Sequence, residues 1–195
     1  IQDAVDGGAL VTCGATTNNE TMANFNNKRH YDNANSICIL TMKATSNTSA
    51  ISYGGLSGDI LAFDGGTNKA LVVVSSANAN ISLRTADGTT NSEDTASGIA
   101  IDMTFHNYKI ECGATNVKLY IDGVLRITKT TNLPTAKMQP VVGVKTLTTA
   151  AKTTEIRFLE VYNTSVTLLS SLAERFSVLT QVFKQRVVET LSGSG

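Results

Sequence analysis

An all-β sandwich of two antiparallel sheets is the fold class that this 195-residue sequence predicts. Three observations carry the prediction. Short runs of β-favouring residues recur at regular intervals, Asp-Gly pairs and other turn residues separate them, and no helix-length segment intervenes before residue 163. The last point argues against a parallel α/β arrangement, whose crossovers need such helices.

Residues 117–127 give the sharpest signal. Val117, Leu119 and Ile121 alternate with Lys118 and Tyr120, Asp122-Gly123 supplies the turn, and Val124, Leu125 and Ile127 return. Asp-Gly tolerates positive φ at both central positions of a type I′ turn, so two paired strands are expected. From the start of the chain, residues 9–13 form one short strand candidate, and the Asn- and Thr-rich stretch 16–27 reads as a loop or arm. Next, Ile37, Ile39 and Thr41 face one way and Cys38, Leu40 and Met42 the other, without a polar face, which predicts a strand covered on both sides. Further candidates are 51–53, ended by a turn-like Gly54-Gly55, then 60–63, 70–75, 81–85, 99–103, 108–112, 141–145 and 154–162.

The pattern changes after residue 163. Glycine and proline vanish over residues 168–191, and Leu172, Phe176, Leu179, Phe183 and Val187 recur at helical spacing. Ser171 and Glu174 fit a capping box. Val178, Val182 and Val188 widen the apolar stripe, so these residues are expected to meet other copies or a partner protein. The expected organisation is therefore 1–35, a strand and polar loop or arm leading into the sandwich; 36–163, the rest of the sandwich; 164–192, an amphipathic helix; and 193–195, a flexible tail.

Lysine plus arginine and aspartate plus glutamate both total 16, so no global field would draw the protein to nucleic acid or an anionic membrane. No apolar run approaches the ~18 residues of a membrane span, and no charged-then-apolar leader opens the chain, so a soluble protein is expected. Cys13, Cys38 and Cys112 show no CxxC spacing and are expected to be small buried side chains.

No GxSxG elbow surrounds any serine, and His106 is expected to make a structural hydrogen bond. Sandwich glycosidases need two carboxylates across the scissile bond, commonly from an ExDxE-like alternation, and that alternation is absent. Glu93-Asp94 reads as part of a polar loop, while Glu155 and Glu160, five apart, project to opposite faces of one strand. No catalytic residue, cofactor or metal is therefore expected. Asp59, Asp64, Asn68, Asp87 and Asp94 carry oxygens of the kind calcium takes, but at spacings that match no fixed calcium loop, and turn formation is their expected role. With no tryptophan and 6% aromatics, Tyr31, Tyr53 and Tyr120 are the side chains left for contact with a glycan.

The layout resembles the concanavalin A-like, laminin-G-like jelly rolls, particularly those of phage and other virion proteins. Residues 37–43 look like the family's early core strand, and Gly55-Leu56 like its recurrent Gly-Leu turn. His106-Asn107-Tyr108-Lys109-Ile110 followed by Tyr120-Ile121-Asp122-Gly123 is similar to its strand-and-hairpin signature. Leu133-Pro134, Pro140-Val141-Val142-Gly143-Val144 and residues 156–161 resemble its closing strands, so the resemblance covers residues 8–162. It implies a concanavalin A-like jelly roll, here with an added C-terminal helix. Joined to the helix and the neutral composition, it leads to the expectation of a non-enzymatic virion structural protein. That protein would be a capsid decoration or cement subunit on the outer particle surface, a homo-oligomer such as a trimer, bound to capsid or other virion proteins. An extracellular carbohydrate-binding adhesin or tail-fibre domain is the alternative expectation.

Overall fold

A computed structural model describes residues 2–3, 8–58, 63–64 and 68–164. The predicted helix with Leu172, Phe176, Leu179, Phe183 and Val187 lies outside the described residues, as do Asp59 and residues 60–62. Among the described residues every regular element is a strand, and the strands form two antiparallel sheets.

The seven-stranded sheet runs β1 (Gln2–Asp3), β2 (Ala9–Thr12), β13 (Thr153–Asn163), β4 (Asn35–Ala44), β9 (His106–Gly113), β10 (Val117–Ile121) and β11 (Val124–Lys129). The six-stranded sheet runs β3 (Glu20–Asn24), β12 (Gln139–Thr146), β5 (Ala50–Ser57), β6 (Lys69–Ser75), β7 (Ser82–Ala86) and β8 (Asn91–Asp94). Strands far apart in sequence are neighbours in both, which is the jelly-roll pattern. The main core fills the space between the sheets: Cys38, Leu40, Met42, Ile110 and Leu119 from one meet Leu56, Val72, Leu83, Val142 and Val144 from the other.

The predicted hairpin is present. Asp122 and Gly123 have φ of 52° and 81°, and Ile121 pairs with Val124 across them. The three cysteines are free and buried, and burial pushes the Cys112 thiol up to about 12.

Four sequence-based expectations change. The stretch 16–27 contains β3, an edge strand paired with β12. Its asparagines mark the turns on either side: Asn18, Asn26 and Asn27 hold φ of 64°, 51° and 64°, a region asparagine enters more readily than other side-chain-bearing residues. Gly54-Gly55 is no turn, because β5 runs straight through it. A Cβ on Gly54 would lie 2.4 Å from the Leu40 side chain, so glycine here permits close packing of the two sheets. Residues 99–103 form no strand beyond a single bridge between Asn80 and Ala100. Finally, β4 is covered on one side only, its burial alternating residue by residue, whereas β5, β6 and β12 are buried at every position.

Candidate functional site

Alternate residues of the six-stranded sheet point away from the main core. Strand register arranges them in rows, since directly paired residues share a face. One row is Glu20 and Lys145, continuing through Ile51 to Ser75. The next holds Met22, Gly143, Tyr53, Val73 and Ser82, and a third holds Val141, Gly55, Leu71, Arg84 and Glu93. Lys69, paired with Ser57 and Ala86, lies one row further on. The middle of this face is apolar: Ile51, Tyr53, Leu71, Val73 and Val141 form a second core cluster with Phe63. Charged side chains surround it.

Tyr53 lies across β12. A Cβ on Gly143 would come within 2.2 Å of its ring carbon Cζ and its hydroxyl, so only glycine lets the ring cross to the edge strand β3. There the Tyr53 hydroxyl donates to Glu20 Oε1. Tyr53 is fully buried, and this burial, reinforced by the adjacent Glu20 charge and hydrogen bond, holds the phenol protonated far above its ordinary range. Tyr53 is thus a proton donor and Glu20 the acceptor.

The remaining charges are tied together through Phe63 and Asp64. The Phe63 N–H donates to Glu20 Oε1 at 2.9 Å, and its carbonyl accepts from Lys69 Nζ at 3.0 Å and Arg84 Nη1 at 2.8 Å. Its ring sits 5.3 Å from that of Tyr53 and 3.9 Å from the Arg84 guanidinium carbon. Lys145 Nζ donates to Asp64, which also lies 3.7 Å from Arg84 Nη1. On the far side Glu93 accepts from Arg84 Nε at 3.0 Å, Ser82 Oγ at 2.5 Å and Asn78 Nδ2 at 2.6 Å. Glu93 was expected in a polar loop and instead sits in β8.

Distance decides which groups can act together. Glu20 and Glu93 stand on opposite edge strands and, among the described residues, are linked only through the Phe63 backbone and the Arg84 guanidinium, with no direct contact between them. Glu20 and Tyr53, already in hydrogen-bond contact, form the acid–base pair that the face offers.

Of the three tyrosines singled out from the sequence, only Tyr53 belongs here. Tyr31 bridges the backbone of Met138 and packs against the main core. Tyr120 is on the outer face of the other sheet, donating to Glu111 Oε2 at 2.9 Å with Lys109 Nζ 4.0 Å from its ring centre. The loop oxygens serve turns: Asp87 accepts from the Thr89 and Thr90 amides, Asp94 from that of Ala96, and Asn68 from those of Thr135 and Ala136. Among the described residues, no group of three or more His, Cys, Asp or Glu side chains is arranged to hold a metal.

A cleft of about 500 Å³ lined by Phe25, Pro140, Val142, Ile156, Phe158 and Leu159 carries no carboxylate to do proton chemistry. His106 bridges Asp122, 2.6 Å from Nδ1, and Asp102, 3.3 Å from Nε2, a structural clamp at the start of β9.

No protein-family model and no curated protein matches this sequence. Solved structures do match in fold. A Bacillus licheniformis β-glucanase is 11% identical, with a TM-score of 0.56 over 80% of this chain and 78% of its own. The alginate lyase A1-II′ of polysaccharide lyase family 7 is 12% identical, with a TM-score of 0.55 over 84% and 82%. The Crh5 transglycosylase in complex with NAG is 15% identical, with a TM-score of 0.58 over 83% and 74%. These likenesses agree with the concanavalin A-like jelly roll.

They overturn the functional expectation. The proteins this chain is similar to are carbohydrate-active enzymes, so the inference of a non-enzymatic capsid decoration or cement protein is corrected, together with its viral setting and with the glycan-binding adhesin or fibre domain offered as its alternative. The reason is physical. The expected signature is a set of carboxylates alternating along one strand, whereas the polar set here is collected from β3, β5, β6, β7, β8 and β12. Glu20, Lys69, Arg84 and Lys145 were missed. For Lys69, Arg84 and Lys145 the signal was a lone charge within a β-favouring run, as in KALVVVS, SLRTA and PVVGVK, whereas Glu20 in ETMAN carried none.

Proposed function

We propose that this chain is a carbohydrate-active enzyme that cleaves a glycan on the outer face of its six-stranded sheet. The observation carrying this reading is the Tyr53–Glu20 pair, a protonated phenol held against a carboxylate. Hydrolysing a glycosidic bond requires a proton for the departing oxygen and a base for the proton that the attacking water releases as its oxygen bonds to the sugar carbon. Tyr53 supplies the first and Glu20 the second. Their shared hydrogen bond returns the proton from Glu20 to Tyr53 after each turnover, leaving the pair as it began. Arg84, held by Glu93, and Lys69 stand over the same face to steady charge that develops on oxygen. The likeness in fold to a β-glucanase, an alginate lyase and a transglycosylase supports the substrate class.

The test is incubation of the purified protein with a panel of neutral and acidic polysaccharides, reading new reducing ends. Cleavage that disappears in Tyr53→Phe and in Glu20→Gln supports the assignment. Cleavage that survives both changes, or no cleavage across the panel, overturns it.

A further inference from the structure

We propose that Asn47 is an attachment site for an asparagine-linked glycan, and that the folded chain presents it in preference to its other Asn-x-Ser/Thr sequences. Four such sequences occur, beginning at Asn19, Asn47, Asn80 and Asn163. The pattern matters because a transferase joins the sugar to the asparagine amide nitrogen while it holds the hydroxyl two residues on. An amide nitrogen is a weak nucleophile, its lone pair being delocalised into the carbonyl, so the carboxamide must be free to turn in the enzyme's grip. The backbone around it must also be free to leave the surface as an extended segment. Those two demands sort the four.

Three sequences fail them. The Asn163 carboxamide is used at both ends, its Oδ1 accepting from the Asp32 N–H at 2.9 Å and its Nδ2 donating to the His30 carbonyl at 3.3 Å. Asn80 Nδ2, the atom that would carry the sugar, donates to the Thr95 carbonyl at 3.3 Å, and Ser82, two residues on, is fully buried with its hydroxyl on Glu93. Asn19 is exposed, but its Oδ1 accepts from the Gly14 N–H at 2.7 Å. Its backbone is pinned as well: the Asn18 N–H donates to the Thr146 carbonyl, the Thr146 N–H to the Asn19 carbonyl, and Thr21 is paired with Val144 inside β3.

Asn47 meets both. It lies in the turn between β4 and β5, where Asn47, Thr48 and Ser49 are all exposed. Among the described residues, neither the Asn47 carboxamide nor the Ser49 hydroxyl has a hydrogen-bond partner, and the backbone of residues 46–48 bonds to no other strand. The turn is held instead by the Ser46 hydroxyl, which accepts from the Thr48 N–H at 3.3 Å, and by the Ser49 carbonyl, which accepts from the Leu147 N–H at 2.9 Å. The side-chain groups that a transferase grips are therefore not the groups that hold the turn.

The transfer needs one co-substrate, an oligosaccharide carried on a lipid pyrophosphate. Asn47 Nδ2 bonds to the anomeric carbon of its first sugar, and the bond from that carbon to the pyrophosphate oxygen breaks. The lipid pyrophosphate leaves with the bonding electrons, and Nδ2 gives up one proton. Incubating the folded chain with a purified oligosaccharyltransferase and its lipid-linked donor, beside an acceptor peptide as control, tests this. The intact mass is expected to rise by one donor oligosaccharide, which peptide mapping places on Asn47. The rise should vanish in Asn47→Gln and in Ser49→Ala, two changes at exposed side chains whose folding circular dichroism checks. A glycan on Asn19, Asn80 or Asn163 of the folded chain overturns the proposal. So does an unchanged mass while the control peptide is modified, or a rise that survives Ser49→Ala.

Discussion

The two sheets carry outer faces of opposite character. On the seven-stranded sheet, β4, β9 and β10 alternate between buried and partly exposed residues, and Lys109, Glu111 and Tyr120 form a contact group open to water. On the six-stranded sheet, β5, β6 and β12 are buried on both sides, and charged groups stand over an apolar floor. Similar residue types, a tyrosine with a glutamate and a lysine, therefore have different consequences. In water a Lys–Glu pair contributes little, because screening and side-chain entropy offset the attraction. Removed from water, the same contacts set protonation states, as the strongly raised phenol of Tyr53 illustrates.

That contrast can be broken or sharpened by experiment. The largest effect is expected in turnover: Glu20→Gln should lower the cleavage rate by about 10²–10⁴, the range general base catalysis contributes, while Glu111→Gln on the other face should leave it unchanged. Comparable losses from both would erase the distinction. Next comes folding. Gly143→Ala places a methyl 2.2 Å from the Tyr53 ring and should cost about 1–3 kcal/mol in urea unfolding, as over-packing does. Tyr53→Phe removes a buried donor from Glu20 and should cost about 1–3 kcal/mol, whereas Tyr120→Phe should stay within about 0.5 kcal/mol.

The smallest effect concerns pH, at the start of β9. Burial disfavours the charged His106 ring, but hydrogen bonds and charge from Asp122 and Asp102 outweigh it, so its pKa is raised. Asp122 and Asp102 are lowered despite burial, by their hydrogen bonds to His106 and to backbone amides. The ring's contribution is complete below its unfolded value of about 6.5 and fades as pH rises through the raised folded value. The aspartates contribute above their unfolded value of about 3.9 and lose that contribution as pH falls through their lowered ones. The clamp should thus stabilise most between about pH 4 and pH 6.5, and His106→Gln should flatten the pH dependence of urea unfolding there. An unchanged profile in the variant would remove His106 from the account.

Much of the scaffold was legible along the chain. Alternation in residues 117–121 and the Asp122-Gly123 turn predicted a hairpin that the φ angles match, because these signals act between immediate neighbours. Strand β3 was not legible, since Glu20 to Asn24 has little apolar content and gains its pairing from β12, more than a hundred residues away. Gly54 and Gly55 look like a turn in sequence and lie within a strand, where a Cβ on Gly54 would meet Leu40 of the opposite sheet and one on Gly55 the Ala70 carbonyl of the neighbouring strand. The candidate site was the least legible part. Tyr53 was noticed for its aromatic ring, but nothing local to it reveals Glu20 as its partner or Gly143 as the reason it can reach that partner.

By itself, then, the sequence determined the strand-forming runs, the tight turns, the buried cysteines and the jelly-roll class, because these depend on backbone preferences and hydrophobic patterning over a few residues. Tertiary structure alone decided which charges share a face and which are shielded from water. Proton chemistry depends on distance and local dielectric, and both are set here by strand order, which places Glu20, Tyr53, Arg84 and Lys145 together from four different strands.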